Sequence, residues 1–253
     1  MDLPKNRFKA ALRAGQRQIG LWHTFASADV AELMATCGYD WILMDTEHSP
    51  VGPAEALAFL RAVAPYPVTG VVRPGWNDAV EIKKLLDAGA QTLLIPYVQT
   101  PDEARAAVAA VTYPPSGIRG VAGVTRATRY GAIANYAERA NDEICLLVQV
   151  ETRDALAQIE EIASVDGVDG VFIGPADLAA SFGYPGQPSH PEVKAAILDG
   201  FAKLKKLGVP GGILSRDDTL LRASAEAGAQ FIAVEIDATM IRTAALARRA
   251  EWS

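Results

Sequence analysis

The stretch Trp41-Ile42-Leu43-Met44-Asp45-Thr46-Glu47-His48 runs from an apolar segment straight into four polar residues. A strand of a parallel sheet is covered on both faces, so it reads as a near-continuous apolar run rather than an alternating one. Polar groups at its C-terminal end stand where a barrel of such strands places its chemistry. The same arrangement recurs in Val71-Val72-Arg73-Pro74, in Val148-Gln149-Val150-Glu151-Thr152 and in Phe172-Ile173-Gly174-Pro175-Ala176-Asp177.

Working outward from these segments, eight short apolar or β-branched runs predict strands over 18–25, 41–45, 68–73, 92–98, 144–152, 170–178, 210–215 and 231–237. Amphipathic segments follow them, for instance at 54–64, 79–88, 101–111 and 191–207, as expected of crossover helices. Cys37-Gly38, Ala88-Gly89 and Ala227-Gly228 stand where glycine closes a helix in the left-handed region. Eight βα units with short turns predict a closed (β/α)8 TIM barrel spanning 1–253 as one domain. No G-x-G-x-x-G follows the first run and no GxxxxGK[ST] occurs, which disfavours an open dinucleotide-binding sheet and nucleotide cofactors. The long connection from Tyr113 to Tyr136 carries Arg119, Arg126 and Arg129 and is predicted to be functional or to lie at an interface.

Half the residues are hydrophobic, 21% are charged, and the net charge is −6 with the arginines dispersed. That balance excludes disorder and gives no basic footprint for nucleic acid or an anionic membrane, so the expected partner is a small molecule. No signal core opens the chain, and no stretch reaches the ~20 apolar residues of a membrane helix, so a cytoplasmic location is expected. Cys37 and Cys145 lack metal or redox spacing and read as buried structural thiols.

Glu151 and Asp177 end successive strands, so their carboxylates can converge at the mouth. A divalent cation relieves the repulsion of such a pair, and oxygen-only ligation favours a hard ion. The alternative is that each carboxylate caps the helix that follows it. His48, next to Asp45 and Glu47, is a candidate general base. His23 reads either as a site wall or as a packed polar group, and His190 as a turn residue opening a helix. Arg73, held out of a helix by Pro74, can bind a carboxylate or enolate oxygen, or pair with a nearby acid. Lys5, Lys9, Lys83, Lys84, Lys194, Lys203, Lys205 and Lys206 all fall in helical or terminal segments. None can serve as a strand-end Schiff-base lysine, and no GxSxG is present for serine chemistry.

Taken in order, these strand ends resemble the HpcH/HpaI family of class II pyruvate aldolases over nearly the whole chain. The resemblance also rests on Gln18-Ile19-Gly20-Leu21-Trp22, Leu85-Leu86-Asp87-Ala88-Gly89 and Tyr113-Pro114-Pro115-Ser116-Gly117-Ile118-Arg119-Gly120. It implies a barrel of the phosphoenolpyruvate/pyruvate-binding type. The implied reaction is reversible cleavage of a 4-hydroxy-2-oxo acid into pyruvate, or a close 2-oxo acid such as hydroxypyruvate, and an aldehyde. Glu151 and Asp177 would hold Mg²⁺, Mn²⁺ or Co²⁺, which the 2-oxo acid chelates. Arg73 would stabilise the enolate oxygen, and His48, paired with Asp87, would move the proton through a metal-bound water. Gln149, Trp22 and Asp45 would contact substrate, with the backbone of Gly174, Pro175 and Ala176 near the pyruvate carboxylate. A homohexamer that exchanges C-terminal helices is the implied assembly, and the loop arginines could reach a neighbouring site or make surface ion pairs.

The chain departs from this pattern at Thr46, where the close aldolases more often carry glycine, and at His23-Thr24, which points to a hydroxylated or acidic aldehyde. Oxaloacetate decarboxylation, or citrate-lyase-like cleavage of an acyl-CoA thioester, is the competing use of the same enolate site.

Overall fold

The computed structural model describes residues 1–252. Helix α1 (Arg7–Arg13) precedes β1 (Gln18–His23), α2 (Ala28–Ala35), β2 (Trp41–Asp45), α3 (Pro53–Val63), β3 (Thr69–Arg73) and α4 (Ala79–Asp87). Next come β4 (Thr92–Ile95), α5 (Pro101–Val111), α6 (Tyr136–Glu143), β5 (Cys145–Val150), α7 (Arg153–Ala157) and α8 (Ile159–Ala163). The chain finishes with β6 (Gly170–Ile173), α9 (Pro175–Ser181), α10 (Pro191–Leu207), β7 (Gly211–Leu214), α11 (Asp218–Ala227), β8 (Ala229–Ile236) and α12 (Asp237–Ala250). All strand pairings are parallel and β8 closes onto β1, giving the expected (β/α)8 barrel. Among the described residues, no helix is long and apolar enough to cross a membrane.

Side chains alternate across a strand, which sorts the apolar residues into two cores. In β2, Trp41 and Leu43 point into the barrel, while Ile42 and Met44 join the layer between strands and helices. Val71, Leu94, Cys145, Leu147, Phe172 and Phe231 complete the interior column, and Phe8 and Leu12 of α1 plug it from below. Burying those two plug residues contributes roughly 1.5–3 kcal/mol each. Glycine makes room for the largest rings. A Cβ on Gly20 would lie 2.1 Å from the Trp41 ring, and one on Gly212 would lie 2.1 Å from the Phe231 ring.

Several strands stop short of their predicted ends. Strand β4 stops at Ile95, before Pro96 and a positive-φ Tyr97, and β6 stops at Ile173 because Pro175 opens α9. The residues beyond these ends bend over the mouth. The predicted glycine caps are present, with φ of +84° at Gly38, +98° at Gly89 and +125° at Gly228. Of the two thiols, Cys145 is buried as expected, but Cys37 is exposed, because it lies in the turn after α2 and outside both cores.

Replacing Gly212 with alanine forces Phe231 out of its place in the column. We expect a loss of about 1–3 kcal/mol in unfolding free energy, measured by urea denaturation, as for other overpacked cores.

Candidate active site

One cavity of about 800 Å³ opens at the C-terminal face of the barrel. It is lined by Trp22, Asp45, His48, Arg73, Gln149, Glu151, Gly174, Pro175, Ala176 and Asp177, ten of the positions singled out from sequence. Alternation explains the convergence. Asp45 continues the inward series of Trp41 and Leu43, Arg73 that of Val71, and Gln149 and Glu151 that of Cys145 and Leu147. Among the described residues, no lysine lines the cavity.

Asp45 organises the β2–β3 side. The register sets it beside Arg73, whose Nε donates to Oδ1 at 3.0 Å and whose Nη2 donates to Oδ2 at 2.7 Å. Trp22 Nε1 donates to Oδ2 at 3.2 Å, and the backbone N–H groups of Glu47 and His48 donate to Oδ1. The Arg73 guanidinium also lies 4.9 Å from the Trp22 ring centroid. Burial pushes the Asp45 carboxyl up, but hydrogen bonds and charge from Arg73, with help from Trp22, outweigh it and hold the group below the usual carboxylate range. Two of Arg73's five N–H donors are taken by Asp45. Its Nη1 meets Glu47 Oε2 at 2.8 Å as an ion pair without an aligned hydrogen bond, which leaves donors for a ligand oxygen.

The β5–β6 side is acidic, and among the described residues no cationic side chain pairs with its carboxylates. Glu151 accepts from Gln149 Nε2 at 2.5 Å and from the Tyr97 N–H at 2.9 Å. Burial, opposed by the Gln149 bond and reinforced by Asp177 and Glu47, raises its carboxyl to about 7. Neither carboxylate caps a helix. Thr152 Oγ1 caps α7 through Ala155 N at 3.2 Å, and α9 starts on Gly174 without a side-chain cap. A Cβ on Gly174 would lie 2.6 Å from Glu151 Oε2, so any larger residue there displaces that carboxylate.

This donor set fits a hard divalent cation. Glu151 and Asp177 offer oxygen ligands in an acidic setting, and no group of three His, Cys, Asp or Glu side chains among the described residues forms a closed cage. Two protein ligands leave positions for substrate and water oxygens, the arrangement hard ions accept. Gln149 Oε1 is also buried without a partner at this spot.

The expectations for His23–Thr24, Arg119 and Arg126 need correction, and Asp87, paired with His48 by the resemblance, does not line the cavity of its own chain. It ends α4, which runs back from the mouth for nine residues, about 13 Å, and there it faces Arg119 Nη2 at 3.5 Å. His48 stays at the mouth with its side chain 67% exposed, so the two do not meet within one chain. His23 is fully buried on the helix side of β1, its Nδ1 2.6 Å from Asp237 Oδ2 and its ring stacked on Phe59. Thr24 lines the cavity, but its hydroxyl is bound to Asp237 Oδ1 at 2.8 Å, so this pair does not supply the expected aldehyde contacts. Arg119 is neither a surface group nor free to reach a neighbour, being enclosed by Tyr113 and Tyr136 at 4.4 and 5.7 Å. Arg126 ties down α4 and α3 through Ala88 O and Leu60 O, and only Arg129 is exposed.

Glu47 was passed over in sequence as a mere neighbour of His48, yet it is a second carboxylate facing Arg73, beside Asp45. Its position within the polar segment that opens the argument was the available signal. The wall formed by Phe172, Leu214, Arg216 and Ile236 was missed as well. His190 behaves as expected, accepting from Glu192 N at the start of α10.

The family model described as HpcH/HpaI aldolase/citrate lyase matches residues 18–244. A pyruvate aldolase of Rhizobium etli is 58% identical over 241 residues, covering 95% of each chain. A 4-hydroxy-2-oxo-heptane-1,7-dioate aldolase of Salmonella heidelberg is 52% identical over 249 residues, covering 98% of this chain and 95% of that protein. Among solved structures, an HpcH/HpaI aldolase/citrate lyase family protein from Burkholderia cenocepacia superposes with a TM-score of 0.94 at 38% identity, covering 98% of this chain and all of the other.

Because Glu151 holds its proton more tightly when folded than when unfolded, it favours folding below pH 4.5, and that contribution is lost as pH rises towards 7. With chelator present, urea stability should therefore fall across this window by on the order of 3 kcal/mol more in the wild type than in Glu151→Gln.

Proposed function

The chain belongs to the HpcH/HpaI aldolase/citrate lyase family and is an aldolase, a carbon–carbon lyase; from that premise we propose that it cleaves 4-hydroxy-2-oxo acids reversibly into pyruvate, or a close analogue, and an aldehyde. One observation carries the reading. Two carboxylates with neither counter-charge nor capping duty face the same cavity as an arginine locked in place by Asp45.

A divalent cation held by Glu151 and Asp177 would supply a Lewis acid for the keto oxygen of the substrate. The protein's own groups do the rest. Arg73, pinned by Asp45 and braced on Trp22, keeps unused N–H donors in the cavity and places positive charge where the enolate oxygen develops. Gln149 orients Glu151, and the missing side chain at Gly174 lets the 174–176 backbone approach the substrate carboxylate. In cleavage, the His48 imidazole takes the proton from the C4 hydroxyl. The C3–C4 electron pair moves towards the C2 oxygen, the aldehyde departs, and the proton taken up by His48 is returned to C3 to give pyruvate. The decarboxylation of oxaloacetate passes through the same enolate and is expected as a side activity.

His48 and Asp87 lie on opposite faces of one barrel, so their pairing requires a second subunit. Helix α12 supports a homo-oligomer. Asp237 is its one buried residue, and Ile241, Leu246 and Trp252 at the chain's end are 45%, 52% and 76% exposed, a surface suited to a neighbouring subunit of a hexamer.

Exchange of the pyruvate methyl protons into D₂O, followed by NMR, tests the enolate half of the reaction without knowledge of the aldehyde. We expect exchange that stops with EDTA, returns with Mg²⁺, Mn²⁺ or Co²⁺, is absent in Glu151→Ala and falls about 10²–10³-fold in Arg73→Ala. Exchange that persists in Glu151→Ala refutes the assignment. Subunit mixing tests the shared proton relay. His48→Ala and Asp87→Ala should each be impaired, and reassembly of the two together should restore roughly a quarter of the sites by random assortment. No recovery on mixing refutes the pairing between subunits.

A further inference from the structure

A second cavity, of about 370 Å³, shares no lining residue with the active cavity. Thr69 and Gly70 open β3 and Gln91 precedes β4, which places it at the amino-terminal ends of these strands, the face of the barrel opposite the mouth. Buried apolar groups, among them Leu3, Leu60, Val63 and Ala127, form part of its lining.

The charges around it are of one sign. Lys5, Arg7, Arg126 and Arg129 line the cavity, and no aspartate or glutamate does, in a chain whose net charge is −6. Lys5 is already paired with Glu143 at 2.7 Å, whereas the guanidinium groups of Arg7 and Arg129 have no partner among the described residues. Arg126 is held but not neutralised. Its Nη1 donates to Ala88 O at 2.9 Å and its Nη2 to Leu60 O at 3.2 Å, both neutral acceptors. The Arg129 N–H donates to Arg126 O at 3.0 Å, a turn that sets the two arginines on one short segment. Burial, with repulsion from Arg129 and Arg61, pulls Arg126 below the ordinary arginine range. The turn also carries backbone strain. Arg129 and Tyr130 have φ of +50° and +55°, a region that residues other than glycine rarely take, and such conformations concentrate at ligand clamps.

We propose that this cavity is a second binding site, for a small multivalent anion that carries its charge as phosphate or as paired carboxylates. The inference does not depend on the aldolase reading. Guanidinium forks match the oxygens of both groups, and the volume lies within the range of small-molecule sites. A multivalent anion offsets the repulsion among Arg7, Arg126 and Arg129, and it ties the amino-terminal segment to the 113–136 connection. Binding to the folded state alone then stabilises it by mass action.

Isothermal titration calorimetry of the assembled enzyme with inorganic phosphate, pyrophosphate and citrate, against chloride at matched ionic strength, tests this. Saturable binding of one anion per chain is expected, with a Tm that rises as the anion concentration rises. The Arg7 and Arg129 side chains make no contact that holds the fold, so their variants report on binding. Arg129→Asn, which tolerates the left-handed backbone, and Arg7→Gln should each weaken binding about tenfold, as for losing a hydrogen bond to a charged group, while Arg73→Ala changes it less than about twofold. Tighter binding of phosphate or pyrophosphate assigns a phosphate-bearing ligand, and tighter binding of citrate assigns a polycarboxylate. Unchanged affinity in both Arg129→Asn and Arg7→Gln, loss of binding in Arg73→Ala, or no binding beyond that of chloride overturns the assignment.

Discussion

Two-residue alternation along strands buried on both faces is the constraint from which the site follows. In β2 the inward series is Trp41, Leu43, Asp45, in β3 it is Val71, Arg73, and along β5 and just past it Cys145, Leu147, Gln149, Glu151. The lower members of each series are core and the last members are chemistry. Precise placement of the charged groups is thereby inherited from close packing below them. The register of β2 against β3 then brings Asp45 and Arg73 out side by side at the mouth.

The charges at the mouth divide into a settled half and an unsettled half. Asp45 and Arg73 form a buried, bidentate pair with Trp22 as a third partner, and removing either member of such a pair typically costs about 3–5 kcal/mol. That side is rigid because its donors and acceptors match. Across the cavity, Glu151 is desolvated next to Asp177 and Glu47, and no cation among the described residues pairs with it. A fold that keeps such an arrangement gives up stability locally, and strongly perturbed carboxyls of this kind concentrate where chemistry is done.

Much of this was legible in the sequence, because apolar runs ending in polar residues mark strand ends without reference to contacts. Glu151, Asp177, Arg73 and Gln149 were found that way, and the structure brings them to one cavity. What escaped depends on direction and distance. His23 follows inward-facing Trp22 by one residue, so alternation turns it towards the helices, where it joins Asp237. Asp87 ends a helix rather than a strand, and a βα unit carries that end away from the mouth. Arg119 looked like a loop residue, but its burial between Tyr113 and Tyr136 needs a contact across the loop that spacing does not show.

The plug under the barrel has a kinetic side. Phe8 and Leu12 pack the interior column from below, and the cavity opens at the C-terminal face above it. In the proposed reaction the 2-oxo acid lies at the Glu151–Asp177 end and the aldehyde between it and the rim. On that reading traffic would be sequential by geometry: pyruvate would enter before the aldehyde in synthesis, and the aldehyde would leave before pyruvate in cleavage. The small helix at the amino terminus, absent from the cavity lining, would then help impose an order on substrates it never touches.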